Sequence, residues 1–229
     1  MGNFEHLKPS PEFREMEGSC VDRVLSGKHV LVVGMTGSGK TYWMAKVCER
    51  LPCFIFVNPQ EERIVDTVTD IVTDEADKVI ELLEEGYRRI QFLPDDDVIV
   101  GIDQLETIRR DLVDAGRDMH LKEDTFWVDF IIDEIQDYAW LGSRNDLENV
   151  FRRGRRYGIR GWALSQQPQN LAKVIVNNVS WQVLFRLGQY SSIYFKNYRI
   201  PIEQYQNHID KDYHYVIYDG KKMYPCNPI

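Results

Sequence analysis

The chain has 229 residues, 43% of them hydrophobic, and a formal net charge of −8 from 28 basic and 36 acidic residues. That apolar content supports one substantial core without requiring a second domain, and the acidic balance argues against indiscriminate coating of nucleic acid while leaving room for a local basic surface. No apolar run is long enough to cross a bilayer, and the N-terminus lacks the continuous apolar segment of a secretory signal.

Residues 1–28 mix Pro9, Pro11, Gly18 and Gly27 with charged side chains and read as an irregular N-terminal arm with one helical turn. Residues 29–229 read as a single α/β domain. It opens on His29–Thr41, H-V-L-V-V-G-M-T-G-S-G-K-T, a buried-strand run followed by Gly34, four residues, then Gly39, Lys40 and Thr41. Glycines at 34, 37 and 39 let backbone N–H groups face a ligand closely, as a phosphate-binding loop requires. Gly34, Met35, Thr36, Gly37, Ser38, Gly39, Lys40, Thr41 and Tyr42 are therefore the candidate nucleotide-binding residues. Lys40 is placed to reach the β- and γ-phosphates of ATP and the Thr41 hydroxyl to ligate Mg²⁺. Tyr42 and Trp43 follow directly; packing of both into the core outweighs contact with nucleotide.

A helix over 41–50 should stop before Pro52, and Cys53 to Val57 reads as the next buried strand. Between Pro59 and Val100, 13 acidic residues face 4 basic ones, which suits solvent or a basic partner but not a DNA path. Within this stretch Asp74 to Glu85 reads as a helix stopped by Gly86, and Arg89 to Leu93 as a strand. Asp95, Asp96 and Asp97 are expected to form a solvated turn, since consecutive carboxylates do not converge on one ion. A further amphipathic helix carrying Ile102, Leu105, Ile108 and Leu112 is expected to end near Gly116.

The second decisive stretch is Phe126 to Asp137, F-W-V-D-F-I-I-D-E-I-Q-D. Phe130, Ile131 and Ile132 carry a strand into Asp133 and Glu134. After a phosphate loop, the first such acid positions Mg²⁺ through water and the second orients and activates the attacking water. Asp129 and Asp137 read as surface or capping residues. A helix capped by Ser143 should run toward Tyr157 and end at Gly158, carrying Arg152, Arg153, Arg155 and Arg156. Two readings of this basic cluster stand: a solvated helix end, or one arginine aimed at a neighbour's γ-phosphate with others contacting phosphate elsewhere. Helix geometry disperses the four around the axis, so one shared role is not expected.

Gly161 to Leu164 forms another strand and delivers Ser165, Gln166 and Gln167 to its carboxyl end, where Gln166 suits a sensor of the γ-phosphate. Leu171 to Asn177 reads as a helix, Trp181 to Leu187 as a strand containing Arg186, and residues 190–195 and 201–209 as short helices. Tyr213 to Tyr218, the Asp219-Gly220 turn and Lys221 to Tyr224 read as a terminal β-hairpin. The four cysteines, Cys20, Cys48, Cys53 and Cys226, have neither metal-ligand nor paired redox spacing and read as reduced structural residues.

Together these pieces resemble the FtsK/HerA superfamily of DNA-pumping ATPases, and more narrowly the small genome-packaging ATPases of internal-membrane-containing icosahedral viruses. The residues that carry the resemblance are G-M-T-G-S-G-K-T at 34–41, F-I-I-D-E at 130–134, G-R-R-Y-G-I-R-G-W-A-L-S-Q-Q-P at 154–168 and N-N-V-S-W-Q-V-L-F-R-L at 177–187. The resemblance implies a RecA-like P-loop NTPase core, a mostly parallel central sheet with flanking helices and a sensor strand inserted between the two phosphate-handling strands. It also implies a ring-shaped homo-oligomer, often a hexamer, acting on double-stranded DNA.

Position by position, Lys40 and Thr41 match the phosphate and metal positions, Asp133 the metal-positioning acid, Glu134 the catalytic base and Gln166 the polar sensor. Arg155 matches the trans-acting arginine when Gly158-Ile159 anchors the comparison. Arg153 or Arg156 takes its place in a shifted register, and Arg186 is a further candidate phosphate contact. Gln167 stands where many cellular members carry arginine, and no DNA-orienting domain is evident. Both departures favour a viral packaging motor, with capsid-vertex or membrane-associated packaging proteins as partners and the host cytoplasm or a packaging vertex of the virion as its place. A cellular or plasmid DNA translocase and an ATP-controlled assembly protein are the alternatives.

Overall fold

The computed structural model describes residues 20–121, 125–143, 146–188, 191–209 and 211–229. Most of the expected N-terminal arm, and the Tyr190 end of one expected helix, lie outside them. The described chain begins with α1 (Cys20–Leu25) and β1 (Val30–Val33), followed by α2 (Lys40–Cys48), β2 (Phe54–Val57), α3 (Arg63–Asp66), β3 (Ile71–Thr73), α4 (Ala76–Glu85) and β4 (Arg89–Phe92). It continues through α5 (Val98–Asp118), β5 (Val128–Ile132), α6 (Glu148–Arg153), β6 (Ile159–Ser165), α7 (Lys173–Asn178), β7 (Trp181–Leu184), α8 (Ser192–Tyr198), α9 (Ile202–Ile209), β8 (Tyr215–Tyr218) and β9 (Met223–Cys226).

The strands form one sheet in the order β3-β4-β2-β5-β6-β1-β7-β8-β9, parallel from β3 to β7 and antiparallel over the last two strands. Every residue of β1, β2, β5 and β6 is buried, as expected of parallel strands covered on both faces rather than alternating between core and water. One core takes Leu31, Val33, Ile55, Val57, Phe130 and Ile132, and the other takes Val30, Val32, Phe54, Phe56 and Ile131. This is the period-two division of side chains between the faces of a sheet.

Register then places the site. β6 lies between β1 and β5, with Val33 opposite Ser165 and Ile132 opposite Ala163. Their carboxyl ends coincide, so Gly34, Asp133 and Gln166, far apart in sequence, emerge side by side. The strand expected between β1 and β5 is thus present as β6.

Several expectations are corrected. The helix expected to end near Gly116 does so, at Asp118, but the glycine serves packing: a Cβ there would lie 2.1 Å from the Tyr157 carbonyl oxygen. Asp129 is not a surface or capping residue; it is 3% exposed, because Arg160 and Trp162 on the adjacent strand donate to its carboxylate. Ser143 does not cap a long helix. Its hydroxyl donates to Glu148 Oε1, α6 begins at Glu148, and a 3₁₀ turn, Gly154–Tyr157, replaces the last helical turn before Gly158 (φ 67°). The Asp95–Asp97 run is a turn, and Asp97 caps α5 by accepting from Ile99 N at 2.9 Å.

The reading of all four cysteines as reduced also fails. Cys20 and Cys226 form a disulfide with Cα atoms 6.3 Å apart, fastening α1 to β9, whereas Cys48 and Cys53 are free and buried. The terminal hairpin folds back beside α1, with Arg23 stacked over the Tyr224 ring at 4.6 Å, and so brings together two sulfurs separated by 206 residues. Burial pushes the Cys53 thiol up to about 12, which leaves it unreactive.

Candidate nucleotide site

The loop between β1 and α2 is tied down by its backbone. Gly34 N donates to Ser165 O at 3.2 Å, Met35 N to Arg186 O at 2.8 Å and Ser38 N to Met35 O at 3.1 Å. A Cβ on Gly34 would meet Ser38 Oγ at 2.4 Å and Phe185 Cβ at 2.7 Å, and Gly37 and Gly39 hold φ of 74° and 95°. Glycine is required here for space at one position and for left-handed backbone at the other two. Trp43 N closes the first helical turn onto Gly39 O at 2.8 Å. Trp43 is buried as expected, but Tyr42 is half-exposed and does not join the core, because it lies on the face of α2 turned away from the sheet.

Two features of the loop suit an anion. Ser38 Oγ is buried without a hydrogen-bond partner among the described residues, and Lys40 is 5% exposed. An orphaned buried hydroxyl costs free energy until a partner arrives, and a phosphate oxygen beside the Lys40 cation would supply one. Beside them, Thr41 Oγ1 donates to Asp133 Oδ2 at 3.2 Å. A hydroxyl and a carboxylate together suit Mg²⁺, which takes few protein oxygens and completes its shell with phosphate and water. No cluster of three or more His, Cys, Asp or Glu forms a self-sufficient metal cage among the described residues. Burial, opposed by the Lys40 charge and aided by Glu134, raises the Asp133 carboxyl to about 6. A divalent cation at this position would hold the carboxylate ionised.

Glu134 occupies left-handed backbone (φ 47°) and is 4% exposed. A non-glycine residue in that region is strained, and the local hydrogen bonds hold it there. Gln166 Nε2 donates to Glu134 Oε1, Gln136 Nε2 donates to Glu134 Oε2 at 2.6 Å, and Thr36 Oγ1 donates to Gln166 Oε1. A continuous chain therefore runs from the phosphate loop through Gln166 to both oxygens of Glu134. Sequence reasoning missed Gln136; its one signal is its place two residues after the acid pair, on a 3₁₀ turn that points the amide back.

The arginines divide. Arg152, Arg153, Arg155 and Arg156, with Lys28 and His29, line one cavity of about 530 Å³. The expected dispersal around a helix does not occur, because the chain leaves the α-helix at Gly154 and the turn swings Arg155 and Arg156 toward the arginines of α6. The cavity borders the first residues of β1 and β6, whereas the phosphate loop and Gln166 follow their last residues. The seven residues of β6 separate the two by about 20 Å. None of these four arginines reaches the loop of its own chain. Arg186 does sit at the loop, its side chain 3.6 Å from Asp212 and half-exposed. Within the basic cavity, His29 is 4% exposed, its Nδ1 accepts from Gly161 N at 2.9 Å, and burial together with Arg155, Arg160 and Lys28 lowers its pKa to about 4.

Sheet order, phosphate loop and the acids at the end of β5 define a RecA-like P-loop ATPase fold. Among solved structures, the genome-packaging NTPase B204 of Sulfolobus turreted icosahedral virus 2 is similar to this chain. Its sulfate complex superposes with a TM-score of 0.67 at 15% identity, covering 88% of this chain and 96% of that one. Its AMPPCP complex gives a TM-score of 0.66 at 16% identity over 89% and 99%. VirB4 of Thermoanaerobacter pseudethanolicus matches with a TM-score of 0.58 at 8% identity over 95% and 92%. The pCW3 conjugation coupling protein TcpA with ATPγS matches at 0.52 and 16% identity over 87% of this chain and 59% of that one. The shared fold agrees with the resemblance carried by the sequence motifs. No family model and no curated protein matches the chain.

Proposed function

We propose that the chain is a Mg²⁺-dependent ATPase that moves double-stranded DNA, and that its task is packaging viral DNA into a preformed capsid. The observation that carries the enzymatic reading is the hydrogen-bonded chain Thr36–Gln166–Glu134–Gln136, which connects a carboxylate to the loop that would hold the phosphates. The overlap with B204, a genome-packaging NTPase, over nearly the whole of both chains supports packaging. The match to TcpA covers a smaller share of that protein, which makes conjugative transfer the weaker reading.

In this mechanism the loop amides and Lys40 bind the polyphosphate, and Thr41 and Asp133 hold Mg²⁺, which offsets phosphate charge when bound. Gln166 exchanges one partner for a γ-phosphate oxygen and releases an oxygen of Glu134. Glu134 then accepts a proton from the attacking water, while Gln136 keeps its carboxylate oriented. The distance between the arginine cavity and the loop supports assistance by one of these four arginines from an adjacent subunit, while Arg186 of the same chain remains beside the loop. Arg155, or Arg153 or Arg156 in its place, meets the γ-phosphate of the adjacent subunit in a ring, read as a hexamer, and stabilises charge developing in the transition state. Such a ring works in the host cytoplasm during assembly, at a packaging vertex, and recruits capsid-vertex or membrane-associated proteins.

The test is steady-state ATP hydrolysis with and without long double-stranded DNA, for the unmodified protein and Glu134→Gln. The expected outcome is turnover stimulated by DNA in the former, and retained ATP binding without turnover in the latter. Normal turnover by Glu134→Gln would refute the assignment of the base, and turnover indifferent to DNA in a confirmed ring would refute the motor.

A further inference from the structure

A second cavity, of about 250 Å³, opens beside the phosphate loop between Gly37 and Ser38 on one side and Arg186, Asp212, Tyr213 and His214 on the other. Its far wall is the turn that precedes β8, closed by His214 N donating to Lys211 O at 3.3 Å. Sequence patterning assigns Tyr213 to the strand, yet the strand begins at Tyr215 and Tyr213 stands at the tip of the turn with φ 61°. The residue is 60% exposed, and its ring Cδ1 lies 3.0 Å from where a Cβ on Gly39 would be. The neighbouring aromatics Trp43, Phe185 and Tyr215 are buried together in the core. Tyr213 is therefore an aromatic ring that the fold holds on strained backbone, out of the core and against the third glycine of the loop.

We infer that this cavity takes the nucleoside end of the nucleotide, with the base stacked on the Tyr213 ring and Asp212 accepting hydrogen bonds from the ribose. The inference rests on the reading of residues 34–41 as the phosphate site, and it adds the residues that distinguish a nucleotide from a bare polyphosphate. The size fits: pockets enclosing a whole small ligand run from about 300 to 1,000 Å³, so this cavity suits one end of a nucleotide whose phosphates lie outside it, on the loop. Its chemistry fits as well. Lys211 and Arg186 line the same cavity, and the exposed Asp212 carboxylate, 3.6 Å from Arg186, presents beside these donors an acceptor that ribose hydroxyls can meet. Stacking is tolerant of base identity, since every base has a π-face, so discrimination among nucleobases is weak.

The experiment is calorimetric titration of the full chain, with Mg²⁺ in excess, using ATP and inorganic tripolyphosphate as separate probes. The unmodified protein is expected to bind ATP more tightly than tripolyphosphate. Tyr213→Ala should weaken ATP by about tenfold, the scale of one stacked base, and leave tripolyphosphate within twofold. Tyr213→Phe should restore ATP affinity. Equal weakening of both probes by Tyr213→Ala would make Tyr213 a support of the loop and overturn the inference, as would no change with either probe. An unmodified protein that binds neither probe would overturn the phosphate-loop reading itself, and the inference with it.

Discussion

Replacing Asp129 with alanine removes the partner of a buried cation. Arg160 Nε and Nη2 donate to the two carboxylate oxygens of Asp129, the second at 3.0 Å, and the two side chains are 7% and 4% exposed. Trp162 Nε1 donates to the same carboxylate at 2.6 Å, while Arg160 Nη1 reaches back to the Leu25 carbonyl at 2.6 Å and ties α1 to the sheet. Alanine at 129 leaves a guanidinium and an indole N–H without their acceptor in a dry layer, a loss of about 3–5 kcal/mol. In a domain of this length each kcal/mol moves Tm by about 2–4 °C, so a fall of about 6–20 °C is expected. Asp129 and Arg160 face each other in the β5–β6 register, the same pairing that brings Glu134 beside Gln166. Urea unfolding at pH 7 of Asp129→Ala, Arg160→Met and the double variant measures the coupling. The double variant should cost several kcal/mol less than the sum of the single changes, because no charge is left stranded. An Asp129→Ala cost below about 1 kcal/mol, or single costs that simply add, would refute the reasoning.

Gly34→Ala drives a Cβ to 2.4 Å from Ser38 Oγ and 2.7 Å from Phe185 Cβ, so the loop must shift; ATP affinity should fall at least about tenfold with far-UV circular dichroism unchanged, and undiminished affinity would contradict the cradle geometry. His29 takes up a proton near 6.5 when unfolded but only near 4 when folded. The unfolded state therefore binds more protons in that window, and stability should fall by up to about 3 kcal/mol as pH drops from 6.5 to 4. His29→Asn, whose Oδ1 can still accept from Gly161 N, should flatten that segment of the stability profile, and an identical slope would contradict the assignment. Cys20→Ser with Cys226→Ser opens a loop spanning 206 residues and should cost up to about 5 kcal/mol in urea unfolding under oxidising conditions, whereas an unmoved midpoint would show that the bridge constrains nothing.

The strands that carry Gly34, Asp133 and Gln166 to one edge of the sheet were legible because each ends on a short apolar run, and such a run marks a strand buried on both faces. The chemistry at the end of a parallel strand is local in sequence even when the assembled site is not. Illegible features depended on long-range packing or on small departures from helical geometry. The Cys20–Cys226 bridge and the burial of Asp129 follow from which elements become neighbours, and no spacing rule reports that. The convergence of Arg152, Arg153, Arg155 and Arg156 follows from a 3₁₀ turn, seated closely against α5 where Gly116 has no Cβ. The edge strand β3, only three half-exposed residues, carries too little apolar pattern to be read. Gln136 and Tyr213 escaped because one backbone turn aims each of them, and side-chain type alone does not state that direction.

The central claim is that ATP is hydrolysed at a junction where one subunit supplies Glu134 and the next supplies an arginine. Mixing two inactive variants, Glu134→Gln and Arg155→Ala, tests it most directly, with oligomer mass measured alongside. Mixed rings contain junctions with an intact glutamate on one side and an intact arginine on the other, so the mixture is expected to recover a measurable fraction of turnover that neither variant shows alone. Mixed rings verified by mass that remain inactive, or Arg155→Ala, Arg153→Ala and Arg156→Ala variants that are each fully active by themselves, would contradict the intersubunit site.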